Sequence, residues 1–200
     1  MLRHQTIQHL QGLEVAPELT DITTFIPFLK RIEKNSNFKY LKIVDDARYE
    51  SEENYSFIEE NNQISFIKPS NYEISKTRKY KNDISRIDNM DYYSESDLFI
   101  CQNGKKLIAN WIKIRKSKTG YESVKTIYIC EDCSNCNYKS QCIKGNNSKI
   151  SLEKRTKKFE TSKKFNQQRK EYLERIITNE GILLRMNRSI QAEGSFAQVK

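Results

Sequence analysis

Residues 38–55, FKYLKIVDDARYESEENY, constrain this 200-residue chain more than any other stretch. An apolar run, Tyr40-Leu41-Lys42-Ile43-Val44, alternates and then stops at two adjacent carboxylates, Asp45 and Asp46. Ser51-Glu52-Glu53 follows and opens a helical segment. A strand that ends in a carboxylate, with a helix after it, fixes that group while leaving it open to solvent and substrate, as a catalytic metal requires. Strands also end in Asp simply to begin a turn. Lys39–Asp46, Ser51–Asn61 and Gln63–Lys68 predict strand, helix and strand, the order of a parallel pair in an α/β sheet. Thr20 to Lys34 predicts a helix before them, with Phe25, Phe28, Leu29 and Ile32 on one face and Asp21 near its cap.

A second carboxylate segment closes the chain, RMNRSIQAEGSFAQVK over residues 185–200. Ile190, Phe196 and Val199 recur at helical spacing. Glu193 and Lys200 are seven residues apart, two turns of helix, and so share a face. Arg188 lies five residues before Glu193. An amphipathic helix with a solvated Glu is the plainer reading of the same residues.

The string DARYESEENY, the strand before it and the tail IQAEGSFAQVK together resemble the DDE transposases of bacterial insertion sequences. The match is closest to the subgroup with a cysteine cluster between the second Asp and the Glu. It runs from about Glu18 to Lys200. The resemblance implies a partial RNase H-like fold, with Asp46 rather than Asp45 as the second acid of the triad and Glu193 as the third. It implies that Lys200 and Arg188 contact DNA, although the family sets its Arg four residues before the Glu. Arg48 stands where the family motif has Gly, a change beside the metal site. It further implies catalytic Mg²⁺ in the complete enzyme, DNA as transposon end and target, and protomers acting as a homodimer on paired ends. The family's first Asp lies on a strand upstream of the first helix, and residues 1–17 contain no Asp. The expectation is a piece of a transposase, cut at both ends and inactive alone.

Cys130, Cys133, Cys136 and Cys142 are spaced C-x2-C-x2-C-x5-C, and Cys101 stands apart beside an Asn103-Gly104 turn. Four thiols within thirteen residues suit a tetrahedral ion, since two Cys two residues apart grip one metal and a turn brings the others round. Zinc in a structural role is the first reading and an iron–sulfur cluster the second. Five Cys compete for four positions, so one is spare, and Cys101 displaces one of the four if its strand folds back to them.

Net charge is +9, which favours a polyanionic partner. No run of about eighteen apolar residues spans a membrane, and the amino terminus lacks the apolar core of a signal peptide. The expected compartment is the cytoplasm, where thiols stay reduced. Residues 70–96 lack apolar periodicity, and SKTRKYKN within them reads either as a solvated linker or as a phosphate-contacting, base-stacking patch. Leu98–Cys101, Lys106–Arg115 and Lys125–Ile129 predict a three-stranded meander. Leu152–Thr178 predicts one long basic helix, with Gly181 beyond its end. Trp111 reads as core, and His4 and His9 as surface residues.

The expected organisation is a lead-in over 1–17, a partial core over 18–69, an insert with meander and cysteine cluster over 70–150, and the basic and Glu-bearing helices over 151–200. The functional expectation is a transposase fragment. The alternative is a non-enzymatic, metal-stabilised DNA-binding module or an inactive transposon remnant.

Overall fold

The computed structural model describes residues 21–145 and 149–197, with side chains described for 22–145 and 149–190. In chain order the elements are α1 (Phe25–Ser36), β1 (Lys42–Ile43), α2 (Glu52–Glu60), β2 (Ile64–Ser65), α3 (Arg78–Lys81) and β3 (Asp91–Tyr93). They continue with β4 (Leu98–Ile100), β5 (Lys106–Lys116), β6 (Glu122–Cys130), α4 (Lys139–Cys142), β7 (Lys158–Thr161), α5 (Lys163–Ile176) and α6 (Asn179–Ala197). The described residues form two units, 21–70 with 168–197, and 71–167. The fold is α/β, with a partial RNase H-like core.

In the first unit β1 and β2 pair in parallel, Lys42 opposite Ile64 and Ile43 opposite Ser65, with α2 as the crossover. The expected strand–helix–strand order is present, but the regular pairing is only two residues long. Asp46 ends it. Its carboxylate accepts the Arg48 N–H at 2.8 Å and starts the 3-10 turn Ala47–Tyr49. Ser51 Oγ then accepts the Asn54 N–H and caps α2, with Glu52 and Glu53 at its positive end. Pro27 sits in the first turn of α1, where its missing N–H costs nothing. Thr24, not Asp21, holds the N-cap position of α1, because Asp21–Thr23 forms a separate 3-10 turn.

Tyr55, Ile58, Phe66, Ile67, Tyr172 and Ile176 are each at most 1% exposed and form the centre of this unit. The rings of Tyr55 and Tyr172 approach to 4.0 Å, which seats α5 on α2. Arg169 Nε donates to Glu50 Oε1 at 2.7 Å, and the Ser70 N–H donates to Glu50 Oε2 at 2.7 Å, so the buried carboxylate is satisfied at both oxygens.

The single helix expected over 152–178 is instead a 3-10 turn (Leu152–Lys154), the strand β7 and the helix α5. Sheet packing overrides the helical periodicity because Phe159 is taken into the aromatic core of the second unit. Its ring lies 5.1 Å from Phe99 and 5.2 Å from Tyr128. Ser162 Oγ accepts the Phe165 N–H and opens α5 after the strand. Gly181 is not beyond a helix end. It lies in the first turn of α6, its N–H donated to Thr178 Oγ at 3.0 Å. A Cβ there would stand 2.4 Å from Arg175 O and 2.8 Å from Ile176 Cα. Glycine therefore permits the start of α6 to press against the end of α5.

The second unit is a five-stranded antiparallel sheet in the order β3-β4-β5-β6-β7. The three expected strands are its middle, and β3 and β7 are edges that the pattern did not predict. Gly104 and Gly120 take positive φ, 70° and 92°, at the two turns. Met90, Phe99, Leu107, Tyr128 and Cys130 form the core of this sheet.

Residues 71–96 are not a featureless linker. They contain α3, β3 and two 3-10 turns, Ile74–Lys76 and Ile87–Asn89. Tyr80 is 6% exposed, its hydroxyl donates to Asp88, and Arg86 covers its ring at 3.9 Å, so this ring is packed rather than offered to a base. Trp111 is 45% exposed on β5, with Lys158 Nζ 5.6 Å from its ring centroid, and is not core. No helix among the described residues is long and apolar enough to cross a membrane.

Candidate functional site

The carboxylate site is built at the end of β1. Asp45 Oδ1 receives the Asp46 N–H at 2.9 Å, and Arg188 Nη2 of α6 lies 3.0 Å from the same oxygen. Arg188 Nη2 also lies 3.4 Å from Asp46 Oδ2. The Asp45 side chain is 22% exposed and that of Asp46 39%, so Asp46 is the one at the rim. Burial pushes the Asp45 carboxyl up to about 6, against the opposing pull of Arg188 and the Asp46 N–H. Sequence reasoning chose Asp46 and passed over Asp45. The adjacency of the two acids was the available signal.

Helix α6 carries Arg188 and the backbone of Glu193. Five residues of helix separate them by about 7.5 Å along the axis and about 140° around it, whereas a spacing of four gives about 40°. Arg185 Nη2 donates to Ile176 O at 3.1 Å, and Lys42 pairs with Glu180, so α6 is tied both to α5 and to β1. The Glu193 side chain, all of Lys200 and residues 1–17 with His4 and His9 lie outside the described residues. Among the described residues no group of three or more His, Cys, Asp or Glu is gathered as a ready metal-holding set.

The cysteines belong wholly to the second unit. Cys101, Cys130, Cys133, Cys136 and Cys142 all line one hollow, with Lys105, Lys139 and Lys157 around them. Cys101 is carried there by the tight turn after β4, in which its N–H donates to Lys105 O at 3.0 Å and its carbonyl accepts the Gly104 N–H at 2.8 Å. Cys133 Sγ accepts the Lys157 N–H at 3.3 Å. Cys130 Sγ lies 3.4 Å from Asp132 O, placed to donate. Burial pushes the Cys130 thiol up to about 12, and Cys133 and Cys101 nearby add to this. Burial also raises Cys142, with Lys157 opposing and Cys101, Cys133 and Cys136 reinforcing. The five thiols form no disulfide. Their donor chemistry fits a soft, thiophilic ion, and the Lys157 ammonium lies close enough to favour a thiolate at Cys142.

No curated protein and no solved structure matches this chain. The family model described as the transposase DDE domain matches residues 100–200. That span begins one residue before Cys101 and takes in the remaining cysteines, α5, Arg188 and Glu193. Half of the chain is matched, and the chain belongs to the transposase DDE domain family.

Proposed function

We propose that the chain works as part of a DNA transposase that cleaves and rejoins phosphodiester bonds at transposon ends, with Asp46 and Glu193 as its catalytic acids. The observation that supports this most is Arg188. It sits five residues before Glu193 within the family match, and its guanidinium reaches both carboxylates at the end of β1, outside that match. The helix that bears Glu193 is thereby anchored to the segment after β1 that bears Asp46.

Carboxylate oxygens are the hard donors that Mg²⁺ prefers, and Asp46 and Glu193 are the residues that would hold it. Held there, Mg²⁺ would supply the positive charge that a phosphodiester displacement needs. The chain's own part is to fix Asp46 through the Arg48 N–H and to keep it at the rim while Asp45 is the less exposed of the two. Arg188 meets both Asp45 and Asp46 through Nη2. A guanidinium has further donors for a DNA phosphate, and Lys200 is the second phosphate contact in this reading. Cys130, Cys133, Cys136 and Cys142 would hold a structural zinc ion, with Cys101 beside them. Action in the cytoplasm, by protomers paired on two DNA ends, completes the proposal.

Supercoiled-plasmid nicking in Mg²⁺ or Mn²⁺ tests it, alongside gel retardation of DNA. Nicking that disappears in Asp46→Asn and Glu193→Gln, with retardation unchanged, supports the assignment of the two acids and overturns the expectation that the chain is inactive alone. Nicking that persists in both variants overturns it. Retardation without nicking in any divalent ion favours the second reading, a DNA-binding module without catalysis, for which the net charge of +9 is the motive.

A further inference from the structure

We infer that the zinc ligands are Cys101, Cys133, Cys136 and Cys142, and that Cys130 is a core residue of the sheet rather than a ligand. This rests on the structural-zinc reading and changes its ligand set. A thiolate zinc site takes four sulfurs, and five line the hollow, so one must stand aside.

Strand alternation says which one. Cys130 pairs with Leu107, and Tyr128 pairs with Ala109, in the antiparallel ladder of β5 and β6. Directly opposed residues share a face, and so do residues two apart along a strand. Leu107 and Tyr128 are fully buried, and Cys130 at 3% exposure packs with them, Met90 and Phe99. The Cys130 sulfur is the most buried of the five and packs in this apolar cluster, with Cys133 and Cys101 nearby, and is placed to donate to Asp132 O.

The other four cysteines are partly exposed and sit on turns suited to gripping an ion. Asn135 takes the left-handed conformation, φ 49°, between Cys133 and Cys136, and Asp132 Oδ1 accepts the Ser134 N–H at 2.7 Å. These contacts reverse the chain inside the Cys133–Cys136 pair, as a two-thiolate bite on one ion requires. Tyr138 O accepts the Cys142 N–H at 2.9 Å, so the short helix α4 returns Cys142 to the same hollow. Cys101 is brought to the hollow by its own tight turn, and both it and Cys133 pack against the margin of the core. The Lys157 N–H at Cys133 Sγ is the kind of donor that steadies a metal-bound thiolate. The sequence pattern alone favoured the four clustered cysteines because it cannot show that the first of them faces inward.

The test is metal content and cobalt(II) spectroscopy on the full chain and on Cys101→Ser, Cys130→Ala and Cys130→Val, the last retaining core volume. Circular dichroism reports the fold of each. The expected result is one zinc per chain and a four-thiolate cobalt spectrum in the wild type and in at least one folded Cys130 variant. Cys101→Ser should lose zinc affinity by at least the roughly tenfold to hundredfold that even outer-shell changes cost. Its sulfur-to-cobalt band should fall by about a quarter, one thiolate of four. Zinc lost from both folded Cys130 variants, or zinc and a full cobalt band kept in Cys101→Ser, overturns the ligand set while leaving the zinc reading intact. A wild-type chain that takes up neither zinc nor cobalt overturns both.

Discussion

Arg188 Nη2 stands 3.0 Å from Asp45 and 3.4 Å from Asp46, so a single guanidinium nitrogen serves two adjacent carboxylates from 142 and 143 residues away in the chain. Asp45 has a folded pKa of about 6, above the ordinary 3.8, because burial disfavours its charge. A raised acid favours the fold at low pH, and that contribution is lost as pH rises from 3.8 through 6. Arg188 limits the loss. In metal-free buffer Arg188→Ala should therefore destabilise the chain more at pH 8 than at pH 4. The partly exposed guanidinium sets the cost at about 1–2 kcal/mol, below the 3–5 of a fully buried pair. Urea unfolding at the two pH values measures it, and an equal effect at both would mean that Asp45 does not feel Arg188.

Gly181→Ala should destabilise the fold by about 1–3 kcal/mol, because the new methyl meets the backbone of Arg175 and Ile176 rather than a yielding side chain. Helix propensity alone predicts the opposite, a gain of about 1 kcal/mol for Ala over Gly. Thermal unfolding decides the sign, and a stabilised variant would rule out the close approach of α6 to α5.

Arg169→Met should cost about 3 kcal/mol or more, because it strips the cation from Glu50, whose side chain is only 3% exposed. The double variant Glu50→Gln, Arg169→Met should recover part of that loss, since no unpaired charge remains. A double-mutant cycle with no coupling would show that the pair does not hold α5 to the residues before α2.

Phe159→Ala should cost about 2–4 kcal/mol, since its ring packs against Phe99 and Tyr128. Coupling between Phe159→Ala and Phe99→Leu in a stability cycle is expected of the strand and not of a continuous helix.

Local signals marked some caps and turns and misplaced others, such as Asp21 and Gly181. Ser51 before two glutamates marked α2, and Asn103-Gly104 marked the turn after β4. The Leu152–Thr178 segment misled because its apolar residues fit a helical period as well as they fit two short elements, and only the distant Phe99 and Tyr128 decide where Phe159 goes. Ser162 after Thr161 was a cap signal that the period masked. β3 was hidden for another reason. Asp91, Tyr92 and Tyr93 are all exposed on an edge strand, so no alternation marks them. Around Asp46 the strand, turn and helix were legible from neighbouring residues, whereas the pairing of Asp45 with Arg188 depends on a helix more than a hundred residues later.

The discontinuous first unit also sets a timetable for biosynthesis. Glu50 meets Arg169 119 residues later, and Tyr55 waits for Tyr172. At about 5–20 residues per second of translation, the carboxylate strand leaves the ribosome roughly 6–24 seconds before the helices that bury its surroundings. During that interval the local antiparallel sheet of 71–167 can complete itself first, as its contacts are nearer in sequence. A nascent chain paused before residue 168 would then carry a finished second unit behind an apolar segment that still lacks its cover, a natural client for a chaperone.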